Sequence, residues 1–165
     1  MENAKKWILS AIVLIGTVLA VTGMCIAYLK SVGQVTGTEY VTKLFDNNSF
    51  SDASDLSRAC MAFAIMTVIF AGLTLILTAM QLFGVMRDNR VKMVTSAMSV
   101  ICAIIAFVLI CVLAKDSTLS ATIFNTRLTA VESAPAVGAY LLAIGGIVAG
   151  LFGFFPVNAK KKGKK

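Results

Sequence analysis

Four long runs without a charged residue dominate the chain: 7–29, 59–86, 93–114 and 133–159, of 23, 28, 22 and 27 residues. A helix needs about 20 apolar residues to cross a hydrocarbon core roughly 30 Å thick, and every run reaches that length. Helices buried inside water-soluble domains are normally shorter. Composition points the same way, with 58% apolar and 14% charged residues against about 25% charged in an ordinary soluble domain. The pattern predicts an all-α fold: an integral membrane four-helix (tetraspan) bundle, with 1–165 as a single four-span membrane domain. Runs two and four exceed the minimum length and must tilt or project beyond the bilayer. Lys5 and Lys6 precede the first run, but its apolar stretch is longer than the roughly 7–15 residues of a secretory signal, so it reads as a true span.

Charge then orients the bundle. Segments 1–6, 87–92 and 160–165 hold ten Lys and Arg and two acids (Glu2 and Asp88), giving +8, whereas segments 30–58 and 115–132 hold five Lys and Arg and six acids, giving −1. Lys and Arg concentrate on the cytosolic side of short-looped membrane proteins. Both termini are therefore expected in the cytosol, with outer loops 30–58 and 115–132, an inner loop 87–92 and a basic tail 160–165. The net charge of +7 is thus a topology and lipid signal. Nucleic acid is a poor partner for basic residues split among three short segments without interleaved aromatics. The tail Lys160-Lys161-Lys162-Gly163-Lys164-Lys165 suits anionic lipid, at about 1 kcal/mol per basic residue near the surface, or acts simply as a stop-transfer flank.

Helices associate in lipid through small residues that let backbones approach and through a few polar side chains. Each run carries such a stripe at helical spacing: Gly16, Ala20, Gly23 and Ala27 in the first; Cys60, Ala64, Thr67, Ala71, Thr74, Thr78 and Gln81 in the second; Ser96, Ser99, Ala103 and Ala106 in the third; Gly138, Gly145, Gly146, Ala149, Gly150 and Gly153 in the fourth. Steps alternating four and three in the second run are those of a heptad seam, which favours a left-handed bundle. Gly146 and Gly150 form a GxxxG, suited to packing within the chain or between chains. Thr67, Thr74, Thr78 and Gln81 allow a second reading, a polar pathway. Thr can satisfy its hydroxyl on its own helix backbone, so core packing is the simpler expectation.

Several chemistries are excluded. The chain has no His, which removes the commonest metal ligand and acid–base group. No Asp, Glu, Lys or Arg lies inside a run, although ion-coupled transporters and rotor-type proteolipids place an ionisable group in the membrane. Cys25, Cys60, Cys102 and Cys111 include no CxxC spacing, so a thiol oxidoreductase is not expected. A Cys25–Cys60 disulfide or packing as small apolar residues are the two options for these thiols. No nucleophile–base pair or phosphate loop occurs. The chain is expected not to be an enzyme and to bind no metal or cofactor.

Of the outer loops, the first has 29 residues. Its Val-, Thr-, Tyr- and Phe-rich half, 35–45, broken by Gly33 and Gly37, suits a strand or small β-hairpin. Asp52 or Ser54 could cap the following helix. Asn47-Asn48-Ser49 is an acceptor pattern for glycosylation at Asn47. The second loop, 18 residues, mixes Ser and Thr with Leu119, Ile123, Phe124, Leu128 and Val131, which suits a short amphipathic turn on the membrane. Pro135 stands where a helix can start.

The order of a longer first outer loop, a tight inner turn and a shorter second outer loop resembles the claudin-like tetraspan group, which includes the peripheral-myelin-protein, fungal cortical-patch and amastin-like families. The run Leu56-Ser57-Arg58-Ala59-Cys60-Met61 and the entry Gly138-Ala139-Tyr140-Leu141 into a Gly-rich helix carry the likeness. The claudin first-loop Gly-Leu-Trp motif and Cys pair have no counterpart in 30–58, and the single Trp is Trp7. The resemblance therefore implies a membrane-organising or adhesive tetraspan rather than a tight-junction pore. Arg58 equally suits the plainer role of anchoring a helix end at the interface. The expected function is structural: a non-enzymatic multi-pass scaffold of the plasma membrane, acting through lateral helix packing and outer-loop contacts with other membrane proteins or further copies. The alternative is a small channel or a transporter-accessory subunit.

Overall fold

A computed structural model of the chain describes residues 2–33, 39–43, 55–86, 88–124 and 131–157. These residues are mostly helical. In chain order they form α1 (Glu2–Cys25), β1 (Ala27–Gly33), β2 (Glu39–Lys43), α2 (Asp55–Leu82), α3 (Arg90–Phe124), β3 (Val131–Pro135) and α4 (Val137–Gly153). Three of the helices, α1, α2 and α3, are long and apolar enough to cross a membrane.

The helices pack α1 on α4 and α2, α2 on α3, and α3 on α4, with α2 also reaching α4 across the bundle. Their inward positions are mostly small or polar, with a few larger ones such as Val13, Ile110 and Leu142, and many of their large apolar side chains face out. Ile15 on α1, Ile69 and Ile76 on α2, Ile104 and Val108 on α3, and Ile144 on α4 are all exposed, while Ala20, Ala64, Ala71, Ala103, Ala106 and Ala149 are fully buried. A fold arranged this way is compatible with an apolar surrounding, since branched aliphatic surface exposed to water costs roughly 25 cal/mol per Å². One apolar cluster around Ala20, Cys60, Ala64, Ile110, Ala139 and Leu142 closes the end of the bundle nearest the sheet.

Helix ends differ from the limits of the uncharged runs, and each difference has a local cause. α1 stops at Cys25, and 27–33 becomes the central strand of an antiparallel sheet of order β2-β1-β3. Ala27, expected on the packing stripe of a helix, therefore lies in β1. Its neighbours pair on both sides: Lys30 with Val41 of β2 and with Ala134 of β3. The hairpin expected within 35–45 is thus displaced towards the first run and gains a third strand from the segment before α4. Pro135 ends that strand, and α4 begins two residues later behind an extended Ala136. α4 closes at Gly153, three residues before Pro156, so the uncharged run 133–159 yields a helix of 17 residues, about 25 Å long at 1.5 Å per residue.

α3 goes the other way. It has 35 residues and runs to Phe124, through the first part of the segment expected as a loop with a short amphipathic turn. No Gly or Pro lies between Lys115 and Phe124 to stop it. α2 starts at Asp55, upstream of the run, and ends in a tight cap. Gly84 adopts φ +76, Val85 N–H donates to Met80 O at 2.9 Å, and Gly84 N–H donates to Gln81 O at 3.1 Å. This Schellman arrangement needs the left-handed residue that only Gly adopts without strain. The capping residues Asp52 and Ser54 lie outside the described residues.

Candidate functional site: the packing seams and the buried polar end

α4 uses two faces, and its glycines divide between them. One face meets α1 backbone to backbone. A Cβ placed on Gly16 would lie 2.6 Å from Ala149 N and 3.0 Å from Gly145 O, and one on Gly23 would lie 2.7 Å from Gly138 O. Seen from the other helix, a Cβ on Gly145 would lie 2.6 Å from Gly16 O and against Ala20 N. With Ala20 fully buried between them, Gly16, Ala20 and Gly23 allow α1 and α4 to approach backbone to backbone.

The adjoining face of α4 meets α2 and α3. There a Cβ on Gly146 would lie 2.6 Å from Thr67 Cγ2 and 2.8 Å from Ala103 Cβ, and one on Gly150 would lie 2.7 Å from Ser96 O and against the Val100 side chain. The GxxxG pair is therefore filled from within the chain. Ser99 Oγ donates to Gly146 O at 3.0 Å, joining α3 to α4.

On α2 the buried residues are Cys60, Met61, Ala64, Thr67, Ala71, Thr74, Thr78 and Gln81. The threonine hydroxyls turn back on their own helix. Thr67 Oγ1 donates to Phe63 O at 2.7 Å, Thr74 Oγ1 to Phe70 O at 2.8 Å, and Thr78 Oγ1 to Thr74 O at 2.7 Å. Thr17 of α1 does the same with Val13 O at 2.9 Å and also approaches Ala71 O of α2 at 3.4 Å. Hydroxyls bonded in this way need no water and offer little to a passing solute.

Polar chemistry gathers at the end of the bundle where α2 turns into α3. Gln81 Nε2 donates to Asp88 O at 3.2 Å and to Asn89 Oδ1 at 3.1 Å. Asp88 Oδ1 in turn accepts from Arg90 N–H at 3.0 Å, capping α3. Lys92 is fully buried, and its Nζ donates to Phe155 O at 2.7 Å, just beyond the C-terminus of α4, where the helix dipole favours a cation. Gln81 Oε1 and Ser96 Oγ are buried without a hydrogen-bond partner among the described residues. The charge pattern assigns Lys92 to the inner loop as a topology charge, whereas it occupies an inward position of α3. The signal for this lies in the third-run stripe: stepping back four residues from Ser96 along the spacing 96, 99, 103, 106 reaches 92.

The remaining candidates are dispersed. Arg58, half-buried, sits in the first turn of α2 with its guanidinium 3.5 Å from Oδ1 of the exposed Asp55. Such a pair contributes little in water, and its position suits a helix-end anchor. Asn47 lies outside the described residues. All four cysteines are free: Cys25 is exposed, Cys60 and Cys102 are buried, and Cys111 is half-buried. No protein-family model, curated protein or solved structure matches the chain, so function rests on this geometry.

Proposed function

We propose that the protein is a non-enzymatic four-span membrane scaffold that organises its neighbours by lateral association and by contacts of its sheet-bearing end. One observation carries this reading: the interior is closed mainly by small residues and self-bonded hydroxyls, while many large apolar side chains on every helix face outward. A bundle closed in this way holds its shape without a lumen and offers its outer faces to lipid and to other helices. The heptad steps of α2 support a left-handed bundle. α4, though only 17 residues long, is continued by the docked segment 154–157 and serves as the fourth span.

The orientation within this reading is the one drawn from charge. On this reading both termini and the α2–α3 turn are cytosolic, the basic tail 160–165 is the segment offered to anionic lipid, and the sheet end is the outer one, with the plasma membrane as the proposed site of action. The claudin-like resemblance belongs to this reading, because the sheet joins the segments that follow α1 and precede α4 into one outer unit. A small channel or transporter-accessory subunit would instead call for hydroxyls free to meet a solute.

The test is lateral mobility of a fluorescently tagged copy in its native membrane. Slow, clustered recovery after photobleaching is expected. Fast, uniform diffusion would remove the scaffold reading and shift attention to flux measurements.

A further inference from the structure

Residues 154–157 leave α4 as a short non-helical strap at the end of the bundle where α2 turns into α3. The strap's own backbone bonds are long. Phe154 N–H donates to Leu151 O at 3.4 Å and Phe155 N–H to Phe152 O at 3.3 Å, beyond the usual range for such bonds. What holds it down is the burial of Val157 and the short bond from Lys92 Nζ to Phe155 O, 2.7 Å. Lys92 lies inside the end of the bundle, not at its rim. α2 and α3 are level at Thr74 and Thr95, whose hydroxyls are 3.4 Å apart, and again at Gln81 and Asn89. Lys92 falls between those two levels.

The charge beneath the strap is poorly matched. A lysine ammonium carries three N–H donors. Lys92 is fully buried, gives one donor to a neutral carbonyl and has no carboxylate partner among the described residues. Asp88, in the adjoining turn, accepts from Arg90 N–H instead. One turn along the same face of α3, Ser96 Oγ is buried, has no hydrogen-bond partner among the described residues and stands against Gly153, where α4 ends. A buried charge with a single neutral acceptor is costly, and an N–H bond to an anionic oxygen is about twice as strong as one to a neutral oxygen. At the end of a membrane bundle, phosphate groups of lipid headgroups supply such oxygens. The carbonyl end of α4 is itself electronegative, so an anion reaches Lys92 only by displacing the strap. We propose that Lys92 and Ser96 form a concealed phosphate-binding site, closed by strap 154–157 and opened when a phosphate group takes the Lys92 ammonium from Phe155 O. This rests on the four-span reading above, which puts this end of the bundle among lipid headgroups.

The experiment uses the full chain in lipid nanodiscs, with Val157→Cys as a reporter of opening. The readout is the rate at which position 157 reacts with a water-soluble maleimide, followed by peptide mass. In phosphatidylcholine alone, labelling is expected to be slow. Mixing in phosphatidylglycerol is expected to speed it about tenfold, as the stronger acceptor competes for the ammonium. Inorganic phosphate added to phosphatidylcholine nanodiscs separates the two sources. Acceleration there would show that dissolved phosphate fills the site, and acceleration by phosphatidylglycerol alone would identify the headgroup. Ser96→Ala, which loses no printed bond of the closed form, is expected to keep slow labelling in phosphatidylcholine and to need several-fold more phosphatidylglycerol. Lys92→Met, with its basic tail unchanged, is expected to label fast in both lipids. Labelling that neither phosphate source moves, a Ser96→Ala chain that responds like the parent, or a Lys92→Met chain that starts slow and still accelerates would each overturn the site while leaving the four-span reading standing. A chain that does not enter nanodiscs would remove both.

Discussion

Gly145 and Gly72 are the same residue type in long apolar helices, yet their surroundings differ completely. A Cβ at Gly145 would strike the backbone of α1 at Gly16 and Ala20, whereas one at Gly72 would meet nothing within 4 Å. Backbone cannot step aside as a flexible side chain can, so Gly145→Leu must separate α1 from α4 along the seam. We expect Gly145→Leu to lower stability by about 3 kcal/mol or more, at the upper end of overpacking costs. Gly72→Leu should leave it unchanged or raise it by up to about 1 kcal/mol through helix propensity. Thermal midpoints in detergent would check the pair, and equal midpoints would mean that the α1–α4 seam does not hold the bundle. Helical spacing already separates the two, since Gly145 falls on the small-residue stripe of its run and Gly72 does not, but the partner that Gly145 meets lies more than a hundred residues away and is not legible locally. Lys92 illustrates the opposite case. Its charge marks it as a loop residue, but its place on the seam of α3 was open to reading from spacing alone.

At the scale of elements, spacing and backbone chemistry carry different information. The four-three steps along α2 identify its inward face because a buried helix face must repeat near 3.5 residues and must be small to let neighbours approach. Helix ends obey other rules. Uncharged runs are bounded by charge, but α4 is bounded by Pro135 and Pro156, and α2 ends at Gly84; these punctuation residues trim or shift what the runs suggest. α3 has no such breaker and runs on. The same α2 face decides between a packed seam and a polar pathway. Replacing Thr74 and Thr78 together with Val keeps shape and removes hydroxyls that already bond to Phe70 O and Thr74 O. We expect any solute flux in proteoliposomes to stay at the level of the unaltered protein, with stability changed by no more than about 1 kcal/mol per hydroxyl. A clear fall in flux would mean that these hydroxyls meet a solute, and the scaffold reading would fail.

For the whole molecule, the sheet was the least legible feature, since β1 and β3 lie about a hundred residues apart in the chain and their pairing leaves no local trace beyond β-favouring composition. Its consequence is mechanical. With 27–33 and 131–135 drawn into strands, α1 and α4 are shortened from the sheet side together, and the Lys92–Phe155 bond holds the other end of α4 in place. As the fourth span of the proposed bundle, α4, at about 25 Å, falls short of a hydrocarbon core of roughly 30 Å, and the seam with α1 restrains it from adjusting by itself. A mismatch of some 5 Å at fractions of a kcal/mol per Å amounts to roughly 1–3 kcal/mol, enough to register as a shift in thermal midpoint. We therefore expect stability in phosphatidylcholine vesicles to peak with short acyl chains and to fall as the chains lengthen. Gly145→Ala, by loosening the seam and freeing α4 to move, should flatten that dependence as well as lower the midpoint. A midpoint that climbs steadily with acyl-chain length would mean that the strands flanking α1 and α4 lie within the bilayer's apolar layer, and that the sheet and the helices meet the membrane as one continuous unit.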